Sequence, residues 1–513
     1  MLKTTIYSIL IIDFKCNCYY ENENGTYQMI FRNVFVFPDV SDERYKLAVT
    51  DYRICLVLAV ITLVFVLHLL YTLIFKKNEY HTATAGSLKC ALLYLPVIIA
   101  ALVIKLPQGF LTNDEYSIIN SATNLIHDTW FNIMTVYYYI VSLMLIPYTY
   151  APIIVKVIIE FWVVGYTVWR TKCHFRNKYA NLMYVLFLLY PVIAYTTSAH
   201  RLPVYFLIYL AVIVKLFYDH LENKHLTYAG AVFLLFFGAV LTQWRTEGIY
   251  LLVILPILMF AAYPQLRRAK AAIPVVVLFI LFQALLWIPQ NGAVSSNIDG
   301  AANDRMKPFY AYTITNMYRN GLDLSKNADD LAVVDRYLSL EMIDKINEHY
   351  GDINYEDVLI LYQDGFTGVR EGAGDAEFYD YSQALKRIFV NNPDVFARTR
   401  WGAFCYAALP YHIVFSSTGL RDMISFAISI VKTVSYNLFI PVIFAAAAAV
   451  VSLIRRKWFE FFMFAGILAH AFIVFVLAPA SYFKYYFPVY IVSYFYMIFM
   501  LISFLSKKRE DRA

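Results

Sequence analysis

Charge is scarce in this 513-residue chain, where only 16% of residues are Asp, Glu, Lys or Arg against about 25% in soluble proteins. That is too little to coat the surfaces of the several soluble domains such a length would form, so an ordinary soluble enzyme is excluded. Cysteine is sparse too. Of Cys16, Cys18, Cys55, Cys90, Cys173 and Cys405, four lie in or beside apolar segments and only the first two are close, so neither a disulfide framework nor a zinc site is indicated. The chain holds no G-x-G-x-x-G, G-x-x-x-x-G-K-[ST], H-E-x-x-H or G-x-S-x-G motif, and its ten histidines lack ligand spacing. No metal site is therefore expected, and no divalent cation is indicated. The net charge of +6 comes from short basic clusters between apolar runs, not from a solvated patch, so no nucleic-acid partner is expected. No small-residue cleavage site follows the apolar stretch Ile6 to Ile12, and no cleaved signal peptide is expected.

What the chain does have is apolar and aromatic bulk: 60% hydrophobic and 18% aromatic residues, with a mean hydropathy of +0.55. This composition predicts an all-α polytopic membrane protein in contact with a lipid bilayer. A crossing needs about 20 mostly apolar residues. Eleven candidates are read at 54 to 75, 88 to 106, 150 to 169, 179 to 198, 203 to 218, 227 to 243, 248 to 263, 271 to 288, 436 to 454, 458 to 477 and 486 to 505. Lysine and arginine fall on every second connection: 76, 77 and 89; 170 to 178; 215 and 224; 267 to 270; 455 to 457; and 507 to 512. By the positive-inside rule these are cytoplasmic. Residues 1–53 are then an extracytoplasmic tail, 54–288 a transmembrane core with a first outside loop 107–149, 289–435 an outside domain, and 436–513 the last spans and a cytoplasmic tail.

The long outside stretch carries 13 Lys+Arg and 19 Asp+Glu, and its pattern is helical. Asp335 is placed to cap a helix bearing Leu338, Met342 and Ile346 and stopping at Gly351, and Asn392-Pro393 starts another over Asp394 to Leu409. Two aromatic regions, Thr129 to Tyr148 and Trp401 to Phe415, are expected to lie in the interface. Tyr27 to Phe37 alternates weakly like a strand.

Asn113-Asp114-Glu115-Tyr116 follows the second span on the outside, and no Lys or Arg stands between Asp114 and Asp128. Carboxylates at the low-dielectric edge of a bilayer need a balancing cation, substrate or proton, and such a site raises the basicity of a carboxylate toward that of a general base. An ordinary acidic first turn of a helix would look the same. On the same side stand His200 and Arg201, Arg245, and Lys484, each an isolated cation where short loops seldom carry one. One alone reads as a snorkelling anchor, but several opposite an acidic pair fit a phosphate held between helices. His127 and Asp128 are candidate acceptor-binding residues, with plain surface positions as the alternative.

An apolar helix, an outside acidic pair, an aromatic segment and a helix returning to a basic turn resemble the start of the GT-C membrane glycosyltransferases, notably the protein O-mannosyltransferase and lipid A aminoarabinose transferase type. Phe483-Lys484-Tyr485-Tyr486-Phe487-Pro488 is similar to the Arg-Tyr-x-x-Pro turn that often precedes their last span. The resemblance covers residues 88 to 290 well and the last spans loosely. It implies a polyprenyl-phosphate-linked sugar as donor, a hydroxyl of a glycan, lipid or protein as acceptor, Asp114 as catalytic base with Glu115 beside it, and Arg201, Arg245, Lys484 and His200 as ligands of the donor phosphate. It further implies a bacterial plasma membrane with the site outside. The chain reads Asn132-Ile133-Met134-Thr135 where many relatives have Pro-Pro, and it lacks Trp-Trp-Asp-Tyr-Gly, which argues against an oligosaccharyltransferase. The rival readings are a transporter or flippase of lipid-linked sugars and a polysaccharide polymerase or ligase. Transporters tend to show repeated halves, interrupted spans or mid-membrane charges. No internal repeat is evident here, and the charges are expected at span ends.

Overall fold

The computed structural model describes residues 34–42, 44–75, 79–106, 109, 111, 113–126, 131–198, 200–295, 306–349, 361, 368–411, 413, 420–478 and 480–510. Among these the chain is helical, and its only extended pairing is an isolated antiparallel bridge between Leu338 and Val369. The membrane-type helices are α1 (Tyr45–Phe75) and α2 (Glu79–Lys105), then two short helices α3 (Asn113–Thr123) and α4 (Ile133–Leu145), then α5 (Ala151–Phe175). A broken pair follows, α6 (Lys178–Leu188) and α7 (Tyr190–Thr196), and then α8 (Leu202–Leu221), α9 (Tyr228–Trp244), α10 (Thr246–Ala262) and α11 (Ala269–Ser295). After five helices of a polar unit described below, α17 (Leu420–Ser435), α18 (Phe439–Ile454), α19 (Trp458–Leu477) and α20 (Phe487–Glu510) complete the bundle.

Among the described residues eight helical runs are long and apolar enough to cross a membrane, nine if the bent pair counts as one. The remaining expected crossings, 227 to 243 and 248 to 263, are present as shorter apolar helices, α9 and α10, parted by extended backbone at Arg245. The expected span 179 to 198 is bent by 60°. Its first part is a 3-10 turn over Lys178–Tyr184, and Leu189 is extended just before Tyr190-Pro191, where proline has no N–H to continue a helix. Helix ends also lie beyond the expected limits: α1 begins at Tyr45, so part of the expected tail is helix, and α2 takes in Lys89. The expected boundary at 435 moves as well, because Met423–Ile454 forms one apolar run interrupted only at Tyr436 to Leu438. Residues 27–33 lie outside the described residues, and 34 to 37 are irregular.

The expected interfacial helix at 129 to 148 is a correction. Its helical part, α4, is sunk in the bundle with nine of its residues buried, and it packs against α1, α3, α5, α9 and α11. Its first N–H, at Ile133, is bound by Gln290 Oε1 of α11 at 2.7 Å, and Tyr137 donates to Asp51 of α1 at 2.5 Å. The pattern is apolar all round, which marks a buried helix and not a surface one.

α2 and α5 approach closely because Gly165 has no side chain. A Cβ there would lie 2.3 Å from the Ser87 carbonyl oxygen and 2.8 Å from the Ala91 Cβ, the small-residue contact that lets apolar helices meet in lipid. Backbone cannot step aside as a side chain can. Gly165→Leu is therefore expected to cost at least about 3 kcal/mol, the upper end for overpacking. The check is the fraction of monodisperse protein surviving graded heating in detergent, and an unchanged curve would mean that α2 and α5 are not so packed.

The polar unit comprises α12 (Lys307–Arg319), α13 (Ala328–Val334), α14 (Leu340–His349), α15 (Asp375–Asn391) and α16 (Pro393–Ala408). It has its own core, including Phe309, Ile314, Met317, Val334, Phe378 and Leu385. Asp335 accepts the N–H of Leu340 at 2.9 Å as the expected cap, but the helix starts after Leu338, whose backbone bridges Val369. The start at Asn392-Pro393 stands where it is expected. Trp401 to Ala408 therefore continues α16, and 412 and 414–419 lie outside the described residues. Buried Arg400 ties this unit to the bundle by donating to the carbonyls of Phe475 at 2.6 Å and Ala478 at 2.8 Å, which end α19. Tyr312 and Ser481 share a further hydrogen bond at 2.5 Å.

Candidate functional site

The short helix α3 begins at the acidic motif, so Asp114 is its second residue and Glu115 its third. The backbone of Asp114 is described and its side chain is not; His127 and Asp128 lie outside the described residues. Glu115 is fully buried and meets His200 Nδ1 at 3.1 Å. Arg201, the next residue, lays its guanidinium 4.0 Å from the centre of the Phe131 ring, a cation over an aromatic face. The structure therefore brings Glu115 of the acidic motif to the His200-Arg201 turn.

From His200 the contacts continue to the other cations. The His200 ring lies 6.1 Å from Tyr195, Tyr195 stacks on Phe483 at 6.3 Å, and Phe483 opens the turn that carries Lys484. Lys484 Nζ lies 4.8 Å from the Tyr482 ring and 6.0 Å from Tyr485, whose other neighbour is Arg245 at 5.1 Å. Arg201, Arg245 and Lys484 thus line one end of the bundle. One expectation needs correcting: Arg245 is not isolated, because Glu247 holds it at 2.5 Å. The extended backbone at Arg245 ends α9, and the two-residue spacing lets the carboxylate fold back on the guanidinium.

The expectation that charges sit only at span ends also fails. Lys156 and Glu160 on α5 are 1% and 3% exposed, about 8 and 14 Å along the helix from Ala151 at 1.5 Å per residue. Lys156 Nζ has no hydrogen-bond partner and lies within electrostatic reach of both Glu160 and Glu115. Glu160 is approached by the Tyr94 hydroxyl at 3.5 Å. These two were missed although both stood in a predicted span, where an ionisable residue is a functional candidate by default. At the opposite end of the bundle a second buried cluster joins α5 and α8: Arg170 to Asp219 at 3.0 Å, Lys215 to Asp219 at 2.8 Å, and Tyr263 donating to Asp219 at 2.7 Å. Every charge in it has a partner, and it reads as a staple between helices.

Among the described residues no group of three His, Cys, Asp or Glu side chains is placed to hold a metal ion. This end of the bundle instead offers the buried Glu115 carboxylate at the start of α3, the helix on which Asp114 stands, together with three cations and many aromatic rings. Such a set can accept a proton, hold a phosphate and stack a ring. Set beside known proteins, the chain matches no family model, no curated sequence and no solved structure.

Proposed function

We propose that the chain is an integral-membrane glycosyltransferase of the GT-C kind, which moves one sugar from a polyprenyl-phosphate donor to a hydroxyl at the outer face of a membrane. The observation that carries this reading is the meeting of α3 with the His200-Arg201 turn, through the 3.1 Å contact of Glu115 with His200. It leaves Asp114 at the start of a short helix beside a cationic end of the bundle. All eleven apolar segments cross in this reading, α9 and α10 as short spans, with the polar unit α12 to α16 over the site. The donor tail stays in the bilayer while its phosphate meets Lys484, Arg201 and the side of Arg245 not used by Glu247.

The reaction is a single displacement. Asp114 takes the proton of the acceptor hydroxyl, the acceptor oxygen bonds to the anomeric carbon, and the bond from that carbon to the phosphate oxygen breaks with its electron pair going to the phosphate. Glu115 is a positioning residue, because it is buried and engaged with His200. The test is made in membranes with and without the chain, supplied with a panel of radiolabelled polyprenyl-phosphate sugars. Label should leave one donor for a new product only where the chain is present.

A transporter of lipid-linked sugars is the second reading, and specific observations favour it: buried Lys156 and Glu160 deep in α5, and the break between α6 and α7. The enzyme reading is preferred because the acidic motif and the cations gather at one end of the bundle, not around Glu160.

A further inference from the structure

Three polar groups from three helices converge beside Arg245 without closing a hydrogen bond to the protein. Tyr205 of α8, Tyr250 of α10 and His470 of α19 are 1%, 7% and 1% exposed. The Tyr250 and His470 rings are 5.4 Å apart, Tyr205 stacks with Tyr209 at 6.3 Å, and Glu247 lies within electrostatic reach of both His470 and Tyr205. The Tyr250 hydroxyl is approached by those of Tyr205 and Tyr209 without closing a hydrogen bond, and His470 Nδ1 makes none. About nine in ten buried polar groups in proteins are satisfied. Three orphans in one place mark a site whose partner comes from outside the chain.

The chemistry of the lining limits that partner. Arg245 and Glu247 neutralise each other at its edge, so no net charge is left for a second anion. Tyrosine hydroxyls donate and accept, a neutral imidazole does the same, and the stacked rings offer apolar faces. A neutral ring with several hydroxyls and C–H faces fits all three features. We propose that Tyr205, Tyr250 and His470 form a subsite for the sugar ring, beneath the phosphate held at the Arg245 and Lys484 edge. The proposal rests on the donor reading above and adds which residues grip the sugar.

The test uses the purified full chain in detergent with three probes: a polyprenyl phosphate without sugar, the same lipid bearing different single sugars, and a panel of free monosaccharides. Tyr205→Phe and Tyr250→Phe remove hydroxyls that close no hydrogen bond within the protein, so both variants should fold. Each should bind the preferred sugar-bearing lipid about tenfold more weakly, the loss of one good hydrogen bond, with affinity for the bare lipid phosphate unchanged. Equal weakening of both lipids, or of neither, overturns the subsite and leaves the donor reading standing. If the bare lipid phosphate does not bind at all, the donor reading fails, and the monosaccharides decide the subsite separately: thermal stabilisation by a free sugar that is lost in both variants supports it, and no stabilisation by any sugar overturns it.

Discussion

Asp114→Asn should lower turnover about 100- to 10,000-fold while leaving donor affinity within a few-fold of the parent, the usual range for losing a positioned acid or base. The substitution keeps size and helix position, since Asp114 is in the first turn of α3 where an amide is tolerated. Glu115→Gln should behave differently. Glu115 is fully buried against His200, so its loss leaves an imidazole without its carboxylate and loosens the end of α3; thermal stability should fall along with turnover. Single-turnover rates and melting curves for the two variants separate the roles. Near-normal transfer by well-folded Asp114→Asn would remove Asp114 from the mechanism.

The second large effect concerns the cations. A phosphate gains charge as the sugar bond breaks, so groups that hold it count for more in the transition state than in the bound donor. Lys484→Ala should therefore lower turnover at least tenfold as well as weaken donor binding, and Lys484→Arg should rescue it in part. Arg245→Ala should cost more than Lys484→Ala, because it also strands Glu247, which is partly buried near His470. Glu247→Gln combined with Arg245→Ala should recover some stability but no turnover. Turnover and affinity measured together check this, and a change in affinity alone would place the cations in ground-state binding only.

The helical, polytopic character of the chain was legible because long apolar runs and basic clusters are signals in one dimension. The helix start at Asn392-Pro393 was legible for the same reason: a local proline rule holds whatever packs around it. Depth was not. The aromatic residues of α4 look alike whether a helix lies on the interface or inside the bundle, and the choice depends on five neighbouring helices distant in sequence. The break at Leu189 was marked by Pro191 yet hidden by continuous hydrophobicity on both sides. At the site, topology placed the acidic motif and the cations on one face but did not single out the contact of Glu115 with His200, and the Arg245-Glu247 pair needed the extended backbone at Arg245. Tyr205, Tyr250 and His470 gave no signal at all, since a tyrosine in an aromatic-rich chain is ordinary until its hydroxyl is found buried and unpaired.

Chemistry is the central claim, and it is tested most directly where no membrane separates two compartments. The purified chain in detergent, given the labelled polyprenyl-phosphate sugar it binds and an extract of candidate acceptors, should form a glycosylated product and free polyprenyl phosphate in equal amounts. Both should vanish with Asp114→Asn and Lys484→Ala. Specific donor binding with no product from any acceptor would contradict the account and make the buried charges of α5 the centre of a transport mechanism instead.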